Sequence, residues 1–500
     1  MPIPLIRSVL SSALLFAGIV SVPQTTFNLV QHNANMLAAQ GRSIFELNEG
    51  YLLFSLEWSS DSTSTSLYTT LLNAEGVQLF QREFSTGRNV DPGVIDPICQ
   101  QDDEYVAAVT SYGGDSPNVT FLYWFNASGD TIRTRFLKSD SASNGGNHQT
   151  RQLVALSDGG YLHCGWCSDP INTGCITRLD STGTVLWEKV YTNTNTINNA
   201  IQLEDGGFVL GGTRNGNLDK AVVIRTDSLG VVQWTKYHGL YSLTSGERAL
   251  IDNTGNVLVP GSWNPDPLWS ALDRWASLYE YTPSGTLVER RDYFYNRHAA
   301  ARNILDKGDG HSWMVGSMFQ YEFPDAVMLL WELDENLDSL WMRRYWYYSA
   351  NDAESFAYSV RSTSDGGLVM CGMTRQGITD PLPYMQSNWL LKLDEHGCLV
   401  PGCHTVGIEE VVLGLSDALT VSPNPVAQGG TLRVRFDPPD GFAAKGPLRI
   451  VVLDALGRQV HAESLSGVGQ LSTSGWPSGV YYLHIADGAR WIAGAKVVVE

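Results

Sequence analysis

The sequence predicts an all-β protein, a seven-bladed β-propeller followed by a small Ig-like β-sandwich. Three observations lead there. Charged residues are only 17% of the chain, whereas Gly, Ser, Thr and aromatic residues are plentiful, a balance that favours strands and turns over long amphipathic helices. A strand-and-turn unit recurs with a period of about 50 residues, the spacing of propeller blades. After Leu419 the repeat stops and short alternating strands take over.

The unit is clearest between Glu204 and Trp234. Asp205-Gly206-Gly207 turns into a strand, Phe208-Val-Leu-Gly-Gly212, that ends in glycines. A β-branched strand from Ala221 to Arg225 follows, and a tight Asp227-Ser-Leu-Gly230 turn leads into a third strand carrying Trp234. Gly supplies the positive φ that such a turn needs, and Asp or Asn caps it by bonding its own backbone. The strand after the first turn opens at Gly50, Glu104, Gly160, Gly207, Asn256, Gly310 and Gly367. The second turn recurs at Asn73, Asn126, Asp180, Thr282, Asp334 and Asp394. Trp187, Trp234 and Trp341 share one position after it, where a flat ring suits packing against the neighbouring blade. The last copy has no outer strand, and an unpaired strand-like segment, Thr25-Thr-Phe-Asn-Leu-Val30, precedes the first copy. This segment is expected to close the ring as the missing strand, which removes an exposed edge. The propeller is thus assigned to residues 25–404.

The Leu-Asp-x-x-Gly-x-x-x-Trp pattern resembles the tryptophan-bearing repeats of quinoprotein-like and delta-60-like propellers, over most of the repeat region. The resemblance implies architecture only, because the quinone-binding residues of the quinoproteins have no counterpart here and their usual blade number is eight.

Residues 1–22 read as a secretory signal peptide: Arg7, an apolar run from about Val9 to Val20, then small residues. The run is short for a membrane span, and no later stretch matches a span's length, so none is expected in the mature chain. The net charge of −19 makes a surface that repels phosphate, so neither nucleic acid nor an anionic membrane surface is an expected partner.

Export permits disulfides. Cys398 and Cys403 flank a Leu-Val-Pro-Gly turn, which suits a local bridge. Cys164-Gly-Trp-Cys167 with Cys175 is open to three readings: a metal or redox site, a disulfide, or buried thiols. The pairing of Cys99 and Cys371 is equally open.

Residues 405–417 read as a linker and 418–500 as a separate domain. That domain holds six acidic and seven basic residues, so the acidity belongs to the propeller. Four pieces stand in order: Val421-Ser-Pro423-Asn424-Pro425, then Val452-Leu-Asp454-Ala-Leu-Gly457, then Trp476-Pro-Ser-Gly479-Val-Tyr481, and a terminal Lys496-Val-Val-Val-Glu500. Together they resemble the carboxy-terminal (type A) sorting domain of type IX secretion cargo in Bacteroidota. The resemblance implies recognition by the type IX translocon, passage through the periplasm and a secreted or outer-surface destination, often with removal of the domain.

The long loops are expected on one propeller face, in the fifth to seventh blades. Their aromatic residues, Trp263, Trp269, Trp275, Tyr321, Trp346, Tyr348 and Tyr384, form the candidate ligand surface, since flat rings stack on the apolar faces of sugars. The opposite face, built from tight turns, is expected to leave little material for a pocket. Asp266, Asp273, Glu322, Asp325, Asp352 and Glu354 could supply a carboxylate pair for glycoside cleavage. His298, His311 and His396 lack metal-ligand spacing, and no catalytic or cofactor motif stands out. The leading expectation is a non-catalytic binding or adhesion protein for polysaccharide or another surface protein. The alternatives are a polysaccharide hydrolase or lyase, and a structural surface-layer component.

Overall fold

The computed structural model describes residues 25–31, 36–59, 64–84, 89–91, 93, 98–101, 103–112, 119–137, 148–167, 173–214, 220–238, 249–263, 275–294, 299–308, 310–319, 326–348, 352–376, 386–400, 403, 418–438, 447–454, 458–465, 468–487 and 490–500. All of its regular elements are strands. The signal-peptide segment and the 405–417 linker lie outside the described residues.

Each repeat is a set of antiparallel strands paired in chain order. In the fourth set these are Thr194–Gln202, Phe208–Arg214, Lys220–Thr226 and Val232–His238. The first (Met36–Leu47 to Gln78–Phe84), third (His148–Ala155 to Val185–Tyr191) and fifth (Leu250–Ile251 to Leu287–Phe294) sets follow the same order. In the second, Asn89–Asp91 and Ile98–Gln101 share the first position against Glu104–Tyr112. The sixth (Ala299–Gly308 to Ser339–Tyr345) and last (Glu354–Ser362 to Gln386–Leu393) sets join through one parallel pairing, Ala326 with Glu354. The outer edge of the last set is Phe27–Gln31, antiparallel to Gln386–Leu393 with Phe27 opposite Lys392.

A buried apolar cluster lies between each set and the next, from Phe45, Phe54 and Phe125 between the first two to Trp313, Met370 and Trp389 between the sixth and the last. A further cluster joins Val369, Cys371 and Leu390 of the last set to Ile44, Leu53 and Leu72 of the first. The sheets therefore close into a ring; their middle strands are buried on both faces, whereas outer strands such as Gln78–Phe84 and Thr131–Leu137 are largely exposed.

The recurrent turns explain how adjacent sheets lock. In Asp227-Ser-Leu-Gly230 the carboxylate accepts from the N–H groups of Leu229 and Val231 at 2.9 and 2.8 Å, and Gly230 has φ 75°. The preceding set lies against this turn: a Cβ on Gly230 would come within 3.0 Å of the Trp187 ring, and Tyr191 donates its hydroxyl to the Gly230 carbonyl at 3.0 Å. Gly285 meets Trp234 and Gly397 meets Trp341 in the same way. Tyr293 and Tyr345 donate to the carbonyls of Leu337 and Gly397. Leu337 occupies the glycine position with φ 62°.

The Asp-Gly-Gly turns hold buried cations. Asp158, Asp205 and Asp365 pair with Arg178, Arg225 and Lys392, each almost buried on the third strand of its own set. A Cβ on Gly160, Gly207 or Gly367 would collide with that cation. In the sixth set the charges are exchanged: Glu332 takes the cation's place and accepts from Lys307 at 2.6 Å and from His311 at 2.9 Å. Burial alone would raise the Asp365 carboxyl, but hydrogen bonds from Thr363 and Lys392 prevail and hold it below the usual range.

The innermost strands share a bulge. Register shifts leave out Arg42, Arg151, Asn198, Arg302 and Tyr358. In four sets the preceding residue faces a glycine: Thr150–Gly165, Ile197–Gly212, Ala301–Gly316 and Ala357–Gly372. A Cβ on any of these glycines would overlap a carbonyl oxygen of the bulged strand. The glycines that end the repeat's second strand are thus the space into which the bulge folds.

In the carboxy-terminal domain, sheets of three and four strands enclose one core around Leu432, Ile450, Trp476 and Leu483.

Two consequences are measurable by urea unfolding. Gly285→Ala should destabilise the ring by about 1–3 kcal/mol, since it combines positive φ with a Cβ 2.7 Å from the Trp234 ring. Lys392→Met should cost about 3 kcal/mol by stranding Asp365. Because the Asp365 pKa is depressed in the fold, its stabilisation is present above about pH 4 and is lost as pH falls through the folded value. The variant should accordingly lose less stability on acidification than the parent does.

Candidate functional site

The loops expected to carry a ligand surface grow from the far ends of the second and third strands. Trp263 and Trp275 stand opposite each other at the root of the 264–274 loop. The guanidinium of Arg290 covers the Trp263 ring at 4.1 Å and is itself paired with Asp292 at 3.0 Å. Phe319, at the root of the 320–325 loop, is exposed and packs on Phe356 at 5.4 Å. Tyr348 is half-buried and meets Tyr347 edge-to-face at 4.9 Å. Trp269, Tyr321 and Tyr384 lie outside the described residues.

Trp346 departs from the expectation. It is buried at 7% exposure in the core between the fifth and sixth sets, so its ring fills the sheet interface and is closed to a ligand. Among the proposed carboxylates, Glu354 is held by Arg375 at 2.7 Å, and Asp352 sits at a turn with φ 57°. Asp266, Asp273, Glu322 and Asp325 lie outside the described residues, as does His298. His311 is bound to Glu332, and His396 approaches Glu395 at 3.6 Å.

The tight-turn face is less bare than the sequence suggested. A cleft of about 370 Å³ opens there between the fifth and sixth sets, bordered by Asp252, Glu280, Arg291, His311 and Glu335. Another of about 450 Å³ lies between the first and second, bordered by Glu46, Glu49, Asp103 and Tyr105. Turns from adjacent sheets diverge at the rim, and the space between them is the cleft. Two charged groups of the first cleft already have partners: Glu280 accepts from Asn256 at 2.7 Å, and Arg291 reaches Glu289 at 2.8 Å and Asp338 at 3.3 Å.

The cysteines resolve the open C-x-x-C. Cys167 is bridged to Cys175, and Cys398 to Cys403. Cys164 is a buried thiol, and burial pushes its pKa far up. Cys164 and Cys167 are three apart on one strand and so point to opposite faces, which rules them out as joint metal ligands. Cys99 and Cys371 are buried thiols too.

The sorting-motif residues tie the end of the chain to the start of its domain. The Asn424 side chain donates to the Lys496 carbonyl at 2.7 Å and accepts from the Val498 N–H at 2.9 Å. Pro423 and Pro425 flank it, both after cis peptide bonds. At this same edge Val426 donates its N–H to the Val498 carbonyl, and its own carbonyl accepts from the Glu500 N–H, both at 2.9 Å. Asp454 caps its turn, accepting from the Arg458 backbone at 2.9 Å, while Gly457 lies outside the described residues. Tyr481 is buried against Trp476 at 5.0 Å and donates to the Pro477 carbonyl at 2.7 Å, and Gly479 pairs with Val499. The Lys496 side chain is exposed.

Sequence reasoning passed over the bulged arginines Arg42, Arg151 and Arg302. The available signal was a polar residue four to six positions before each first turn's strand-end, weak because the bulge has no motif of its own.

Asn424→Ala removes two hydrogen bonds that fasten the last strand, and should lower the domain's stability by about 1–3 kcal/mol in a thermal melt. Asn424→Asp keeps the acceptor and should lose less.

No curated protein is detectably similar to the chain. Solved structures similar to it include a protein of unknown function from Bacteroides caccae, at 13% identity, covering 59% of this chain and 92% of that one with a TM-score of 0.36. Another is the β-propeller domain of the Trilobed protease from Pyrococcus furiosus, at 9% identity, 72% and 96% coverage and a TM-score of 0.42. A third is the Pan2 WD40 domain of Neurospora crassa, at 8% identity, 73% and 97% coverage and a TM-score of 0.43. Residues 420–500 match the family of secretion system C-terminal sorting domains, so the chain carries a type IX sorting signal, which implies a secreted or cell-surface destination.

Proposed function

We propose that this is a cell-surface or secreted binding protein of Bacteroidota, built as a seven-bladed β-propeller over residues 25–404, a linker over 405–417 and an Ig-like sorting domain over 418–500. A signal peptide at residues 1–22 delivers it to the periplasm, and the type IX translocon recognises the last domain. The observation that supports the reading is the sorting domain placed after a succession of antiparallel sheets that pack side by side. Such a scaffold is rigid, and the loops it presents are available for recognition. Trp263, Trp275 and Tyr348 stand at the roots of those loops, and a polysaccharide is the ligand class their flat rings suit.

A thermal-shift screen of the purified chain against a polysaccharide panel tests this. A ligand that binds only the folded state raises Tm. Trp269→Ala with Tyr348→Ala should abolish the shift. Trp346→Ala would be a poor probe, because emptying a core position costs about 3–5 kcal/mol by itself. No shift with any glycan would overturn the polysaccharide reading, and glycan turnover would convert it to the hydrolase or lyase alternative.

A further inference from the structure

The innermost strands of this acidic protein carry arginines at equivalent bulges. Arg42, Arg151 and Arg302 are each the extra residue of an equivalent bulge. The residues beside Arg151 reach sideways: Thr150 bonds Thr110 of the preceding set at 3.2 Å, and Gln152 accepts from Ala200 of the following set at 2.9 Å. Arg151, between them, is left pointing along neither interface and so toward the ring's axis.

Arg42 is 5% exposed and its guanidinium lies 5.3 Å from the ring centre of Tyr358, the bulge residue of the adjacent set. Among the described residues neither Arg42 nor Arg151 donates a hydrogen bond, and the Nε of each is buried without an acceptor. Burial disfavours the charged form of Arg151, Asp91 opposes this, and the charge of Arg42 adds to it, so groups from three different sets share one field. Asp91 is itself engaged by the Gly93 N–H at 2.8 Å and by Gln149 at 3.4 Å. A guanidinium cannot shed its proton to escape such a place, and it offers donors only. A buried and a half-buried cation, with one occupied carboxylate nearby among the described residues, leave a charge that an anion would neutralise. The planar fork of arginine suits the oxygens of sulfate, phosphate or a carboxylate.

We propose that the axis of the ring is a binding site for a small oxyanion, held between Arg42 and Arg151; at the equivalent bulges of other sets, Arg302 donates to Ser317 at 2.9 Å and Asn198 accepts from Thr196 at 3.1 Å. The site is separate from the loop-rich face, so the outcome of the glycan screen does not bear on it.

The test follows Tm of the purified chain in sodium chloride, sulfate and phosphate at matched ionic strength. Sulfate and phosphate stabilise many proteins by exclusion, an effect that grows without saturating. A bound ion adds a saturable rise. The parent chain should show that saturable rise, and Arg151→Met and Arg42→Gln should lose it. Arg151→Met should also melt no lower than the parent in chloride, because one of two repelling cations is gone. The same non-saturating response in the parent and both variants would overturn the proposal, as would a variant that keeps the saturable rise. Calorimetric titration of sulfate into the parent chain decides the matter if the variants do not fold: saturation near one ion per chain supports the site, and no heat of binding refutes it.

Discussion

The structure depends on one contact, repeated around the ring: the third or last strand of one set reaching the tight turn of the next. A carbonyl held at a left-handed turn residue points outward, unsatisfied by its own hairpin, and the preceding sheet supplies the donor. Tyr191, Tyr293 and Tyr345 do so with hydroxyls, and Thr69 does so to Gly129 at 3.1 Å. Arg135 and Arg343 donate to the residue before the turn glycine, Thr182 and His396. Glycine serves two needs there, a positive φ and the absence of a Cβ beneath a tryptophan. Leu337 shows which need can be relaxed. In that set a leucine takes the strained conformation and turns its side chain into the core between the fifth and sixth sets.

A second constraint acts inside each sheet. Both faces of a sheet are covered at its middle strands, so any cation on the third strand must find its partner within the same sheet. The Asp-Gly-Gly turn provides it, a carboxylate beside a glycine whose missing side chain admits the cation. The exchanged pair of Glu332 with Lys307 and His311 shows that the requirement is for opposite charges at these two places, whichever strand carries which. Such pairs are costly to break and add little if replaced by apolar packing, so they fix register more than they add stability.

Closure and function are linked through the edges. The amino-terminal strand covers the edge that the last set would expose, and so the ring holds both ends of its chain in one sheet. The Cys398–Cys403 bridge follows directly after that sheet, and the sorting domain begins beyond it. In the sorting domain the last residues form the strand that Asn424 fastens, which makes the motif at its start and the motif at its end parts of one structure.

Much of this was legible in the sequence. Period, turn chemistry and alternation depend on neighbours a few residues apart, so the strands, the Asp-x-x-Gly turns, the missing outer strand and the sorting motifs could be read directly. Trp187, Trp234 and Trp341 could be assigned to a sheet interface because the repeat gave them one shared position. What only the tertiary structure decided depends on residues far apart in the chain. The burial of Trp346, the clefts between diverging turns and the pairing of Cys167 with Cys175 all follow from how sheets meet. The arginines at the axis are the clearest case. Arg42 and Arg151 stand in unrelated sequence contexts, and only the packing of the first three sets side by side lets the charge of one bear on the other.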